Sequence, residues 1–150
     1  MAIVNQTSDL YRDEYGAGRV LDSAKVRGRS RQATGSVTHA ATDSAGSKYL
    51  LAELPSGAIM GAATAFDVTS LGFADVRIGT HDDPAALVSQ LQSAGNTISP
   101  FAQFDANHGK ELWEVLGLAA NPGGMIRLYF HANANATGAG SLLFELHWLE

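Results

Sequence analysis

The chain has 150 residues, 45% hydrophobic and 17% charged, with 16 Gly, 4 Pro and no Cys. This length can bury a core of its own, and the lack of Cys excludes disulfide frameworks, thiolate metal sites and cysteine nucleophiles. The net charge of −5 is uneven: residues 1–48 carry 7 of the 10 Lys and Arg against 5 acids, and residues 49–150 carry 3 against 10.

Residues 1–18 mix polar residues with Leu10, Tyr11 and Tyr15 and show no sustained period. They read as an extended arm. The stretch has no basic segment followed by an apolar one, so no secretory leader is expected, and the chain is expected to be made inside the cell. No apolar run reaches the ~18–20 residues of a membrane span. Lys25-Val26-Arg27-Gly28-Arg29-Ser30-Arg31 holds four bases at alternate positions. An extended backbone places all four on one side, a stripe suited to phosphate or to an acidic protein surface. Stacking aromatics are not interleaved with it and the rest of the chain is acidic, so nucleic acid is not the expected partner.

Residues 19–48 predict one or two thin strands, around Ser36-Val37-Thr38-His39. Lys48–Leu54 predicts a strand ended by the turn Pro55-Ser56-Gly57. Ala58–Thr69 reads as one further run, with Ile59, Met60, Phe66 and Val68. Phe73–Gly79 alternates, Ala74, Val76 and Ile78 opposing Asp75 and Arg77. Asp83 and Pro84 predict the start of a short helix with Leu87, Val88 and Leu91 as its apolar stripe, ending near Gly95. Glu111–Leu118 reads as a strand, followed by the turn Asn121-Pro122-Gly123-Gly124. Met125–His131 places Ile126, Leu128 and Phe130 on one face, and Asn133–Gly140 is a loop of small residues. Leu142, Phe144, Leu146 and Trp148 form the inner face of a last strand. Leu143 and Leu149 leave its outer face partly apolar, available to a partner.

Regular helices do not separate the strands, which excludes a parallel α/β sheet. The expected fold is all-β, an antiparallel β-sandwich or barrel of seven or eight strands, with an extended N-terminal arm and one or two short helices. Residues 1–31 are the arm and residues 32–150 the sandwich.

Catalytic motifs are missing: the sequence has no P-loop, H-E-x-x-H, G-x-S-x-G or complete dinucleotide fingerprint. His81-Asp82-Asp83 has donors for a cation but reads as a helix cap and solvated turn. His131 and His147 fall in strands taken as neighbours and share a side with Tyr129 and Glu145, the pattern of a polar sheet face. Trp113 has the chemistry to stack on a sugar; Trp148 belongs to the apolar alternation. The expectation is no enzyme, no metal and no cofactor.

Leu51-Ala52-Glu53-Leu54-Pro55-Ser56-Gly57-Ala58 is followed by Phe66-Asp67-Val68-Thr69-Ser70-Leu71-Gly72. Then come Ala74-Asp75-Val76-Arg77-Ile78-Gly79-Thr80 and, before the last strand, Asn135-Ala136-Thr137-Gly138. Over residues 49–149 this pattern resembles the capsid decoration (cement) proteins of tailed bacteriophages. The resemblance implies a jelly roll on the outer capsid surface of the virion, as a dimer or trimer bridging major capsid proteins, without catalysis. The N-terminal region is longer and more basic than the resemblance implies. A clamp that binds the assembled shell better than free subunits stabilises it by linkage. An extended arm gains main-chain hydrogen bonds by adding a strand to a neighbour. Residues 1–31 are expected to do this, with Arg19, Lys25, Arg27, Arg29 and Arg31 facing acidic capsid surface. The alternatives are a tail or head–tail junction protein, a carbohydrate-binding sandwich using Trp113, and a small barrel enzyme with a polar pocket.

Overall fold

The computed structural model describes residues 3–4 and 28–150. Nine strands follow in order: β1 Ser30–His39, β2 Lys48–Pro55, β3 Ile59–Met60, β4 Ala65–Asp67, β5 Asp75–Gly79, β6 Val88–Leu91, β7 Thr97–Ile98, β8 Met125–His131 and β9 Gly140–Leu149. One sheet runs β1-β9-β4-β7, with β3 also on β9; the other runs β2-β8-β5-β6. Every ladder is antiparallel.

The pairs are nested. The first strand pairs with the last (β1·β9), the second with the one before it (β2·β8), then β4 with β7 and β5 with β6. Such a chain is one long antiparallel ribbon folded back on itself, and wrapping the ribbon places successive pairs in opposite sheets. This is the antiparallel β-sandwich expected from the sequence, with the jelly-roll-like nesting that the resemblance implies.

The alternating residues supply the core. Val76 and Ile78 from β5, Leu128 and Phe130 from β8, and Leu142 and Leu146 from β9 are all buried. Each such side chain stabilises the fold by about 1.5–3 kcal/mol. Phe66 of β4 is fully buried among them. Gly35 lies where a side chain would collide with the ring of Phe144, its β9 partner. The glycine lets that ring lie across β1.

The motifs behind the resemblance have structural work. Ser70-Leu71-Gly72 packs backbone to backbone on Thr137–Ser141. Thr137 donates to the Gly72 carbonyl from its amide (2.8 Å) and its hydroxyl (3.0 Å), and the Ser141 amide donates to Ser70 (3.1 Å). The Gly72 amide donates to Nε2 of His39 at 3.0 Å, so that ring nitrogen is an acceptor. Pro55–Ala58 forms the turn after β2, with the Ala58 amide on the Pro55 carbonyl at 3.0 Å.

Several expectations are corrected. The helix predicted after Pro84 is absent. The Asp83 carboxylate does accept the Ala85 amide, at 3.2 Å, as a cap would. But the Leu87 amide is already bonded to Ile78 (2.9 Å), and the chain continues as β6 along β5. Leu91, assigned to a buried stripe, is exposed. Only a 3-10 turn at Gln92–Ala94 precedes Gly95. Conversely, the strand predicted at Glu111–Leu118 contains the helix α1, Leu112–Val115. Glu111 and Glu114 form a reciprocal capping box, and the residues buried are Leu112 and Leu116, four apart. That spacing is helical. The Ala58–Thr69 run is two short strands separated by a turn in which the Thr64 amide meets the Gly61 carbonyl (3.1 Å). His131 and His147 are not on neighbouring strands, since β8 and β9 lie in different sheets.

Candidate functional site

Arg19, Lys25 and Arg27 lie outside the described residues; Arg29 and Arg31 lie within them. Arg29 extends the first ladder: its amide donates to the Glu150 carbonyl (2.8 Å) and its carbonyl accepts the Glu150 amide (3.1 Å). Arg31 is inside β1. Its Nε meets Glu150 Oε1 at 3.0 Å, and Trp148 Nε1 donates to the other oxygen of that carboxylate at 3.3 Å. Both charges are partly exposed, so the pair contributes about 0–1 kcal/mol. The Arg31 end of the basic stripe is therefore partly neutralised by Glu150.

An apolar groove opens beside this point. Its volume is ≈ 540 Å³, and its walls include Ile59, Met60, Phe101, Phe104, His108 and Leu149. Leu149 joins the two features, since it pairs with Ser30 on one side and Ile59 on the other. The segment ahead of β1 thus meets the sandwich at the end that carries the groove.

The loop between β7 and α1 builds the outer wall. Asp105 organises it. One carboxylate oxygen accepts the Ala102 amide (2.9 Å) and the other the Asn107 amide (2.8 Å). Between these bonds Phe104 takes φ 62°, and it is the one non-glycine residue with positive φ among those described. An aromatic residue there is strained by about 1–2 kcal/mol. Phe104 is 76% exposed, with its ring edge-on to His108 at 5.4 Å between centroids. The loop holds a large apolar side chain out into water beside an apolar groove. Sequence reasoning missed this site. A signal was present in Phe101-Ala102-Gln103-Phe104-Asp105, two aromatics just ahead of an Asp in a segment with no strand period.

The other polar clusters serve the fold. His131 is buried, and its Nε2 lies 2.7 Å from the Thr80 carbonyl, which only accepts, so Nε2 carries the proton. Burial pushes the His131 pKa down; the Thr80 bond opposes this, while the positive charge of Lys48 and the nearby His81 reinforce it. Tyr49 donates to Asp43 at 2.5 Å, and burial together with that carboxylate pushes the phenol up to about 12. His81 pairs with Asp82 at 3.0 Å on an exposed turn. Among the described residues no three His, Asp or Glu side chains converge on a point suited to a metal ion. Trp113 is half-buried against the core, and its indole N–H donates to Glu111. Trp148 also packs against the core.

Comparison with protein-family models, with curated proteins and with solved structures found no match.

Proposed function

We propose that this chain is a structural protein that decorates the outside of a tailed-phage capsid and bridges neighbouring major capsid subunits. The observation that carries the reading is the end of the jelly roll where the basic segment meets the sandwich. There an apolar groove and the outward-held Phe104 stand beside Leu149 and the Arg31–Glu150 pair. Large exposed aromatics at the centre of an apolar patch are the usual anchors of protein interfaces, and charges around them steer and orient the partner. The jelly roll and the sequence pattern of residues 49–149 support the same reading. So does the way Asp43, Asp105, His39 and His131 are committed to local structure.

The division of labour follows from the chemistry. The groove supplies contact area that salt does not screen. The basic residues Arg19, Lys25, Arg27, Arg29 and Arg31 supply attraction that salt does screen. Two linked contacts bind through effective concentration, so each is modest while the copy stays on the shell.

The test is co-sedimentation of the purified protein with expanded, undecorated heads across a salt series. Saturable binding at a fixed ratio per capsid subunit is expected, weakening as salt rises. Phe104→Ala is expected to raise the dissociation constant by about tenfold or more, the cost of removing an interface anchor. Absence of binding to the cognate shell overturns the proposal. Undiminished binding of Phe104→Ala moves the contact away from the groove.

A further inference from the structure

The sheet edges among the described residues differ, and β3, also at an edge, is two residues long. Strand β7 is two residues long and β6 is four. Strand β2 begins with Lys48, ends at Pro55 and has a register break between Leu50 and Ala52. Short length, a terminal Lys or Pro and a bulge are the devices by which proteins close an edge to further pairing. Strand β1 has only one charge, Arg31, and that is paired with Glu150. It is ten residues long, its ladder to β9 runs unbroken from Ser30 to His39, and among the described residues it pairs on that side alone.

The ladder shows which groups face outward. Arg29 and Glu150 exchange both backbone hydrogen bonds. In an antiparallel pair such residues alternate with ones that do not. The odd residues Arg31 to His39 therefore bond inward to β9. The N–H and C=O of Ser30, Gln32, Thr34, Ser36 and Thr38 point to the open edge, and their side chains are all exposed.

We infer that this edge pairs with the same edge of a second copy, antiparallel about a two-fold axis through Thr34. In that register Ser30 opposes Thr38, Gln32 opposes Ser36 and Thr34 opposes itself, so each outward peptide group of the strand meets one from the other copy. The facing side chains are small or hydrogen-bonding, a favourable set for cross-strand contact. Charge selects the same strip. Two copies of a chain at −5 repel. β1 holds no acid, and its one Arg is already paired with Glu150. A two-fold contact between identical patches closes on itself, so the product is a dimer and not a fibre. Edge pairing alone buries little surface, which places the dimer among weak, concentration-dependent interfaces. This inference does not rest on the capsid reading, because the purified protein alone tests it.

The experiment is sedimentation velocity of the full chain over a concentration series, with three variants. Thr34→Pro removes one outward N–H and leaves the β9 ladder intact, as edge strands allow. Thr34→Lys places two like charges face to face on the axis. Leu50→Lys, an exposed position in the other sheet, is the control. A monomer–dimer equilibrium is expected for the parent and the control, with the dissociation constant raised about tenfold or more by both Thr34 variants. Circular dichroism establishes that the variants are folded, and Thr34→Lys carries the test if Thr34→Pro is not. A parent that stays monomeric overturns the inference, as does a limiting trimer or an association that Thr34→Lys leaves intact. A monomer whose Thr34 and Ser36 amides resist exchange at every dilution overturns it in favour of residues 1–27 of the same chain covering the edge.

Discussion

Phe104 and His131 both sit where an isolated residue would not choose to be. Phe104 adopts a left-handed backbone because the two Asp105 bonds define the loop around it more strongly than the local strain resists. Strain of this kind persists only where surrounding structure over-determines it, and it gathers at sites of contact. His131 is held neutral in the interior, its one described bond running to Thr80. Its pKa lies below the ordinary 6.5 in the folded chain. Below pH 6.5 the unfolded chain therefore takes up a proton that the native chain refuses. More protons on the unfolded side mean that stability falls as pH drops. Urea midpoints measured from pH 7.5 down to 5 are expected to decline, and His131→Gln, which keeps a donor for Thr80 but does not titrate, is expected to flatten that part of the profile.

At the scale of elements, periodicity was reliable where large apolar residues mark one face, and weak along β1, whose ten residues are mostly small or polar. β5, β8 and β9 were legible because Val76, Leu128 and Phe144 each mark the inner parity. The errors came in short segments. Asp83 to Leu91 carries a cap and an apolar spacing suited to a helix, yet β5 offered a hydrogen-bonded edge that an isolated segment lacks. Glu111 to Leu118 has apolar residues dense enough to read as a strand, and the capping box was the signal that decided otherwise. The contact between the Ser70–Gly72 turn and the loop before β9 is a second tertiary choice. A side chain at Gly140 would collide with the Ser70 carbonyl, which is backbone and has little room to yield. Gly140→Ala is expected to cost about 1–3 kcal/mol or more in urea unfolding, through overpacking of a site that cannot relax.

The whole molecule is a ribbon whose first strand needs its last. β9 is the hub of its sheet, with β1 on one side and β3 and β4 on the other. Contacts of such long sequence separation require loop closure before they stabilise anything, so folding is slow. Stopped-flow refolding from urea is expected to show a main phase in the range of about milliseconds to seconds. A microsecond main phase would contradict nested pairing. The same topology brings the two proposed surfaces together along β1, whose Ser30 end lies beside Leu149 of the groove and whose outer edge has no strand partner among the described residues.

The sequence by itself determined the all-β class, strands β5, β8 and β9 with the inner face of each, and the absence of thiol chemistry. These follow from composition and from a period of two that any buried strand must obey. It also carried the basic stripe, as a run of alternating charges. Only the tertiary structure decided that Glu150 would meet Arg31, that the β7–α1 loop would hold Phe104 outward, and that β1 would pair, among the described residues, on the β9 side alone. The physical reason is range. Alternation is a local property of the backbone, whereas which strand lies at an edge, and which loop faces which groove, depends on pairings more than a hundred residues apart, such as Ser30 with Leu149.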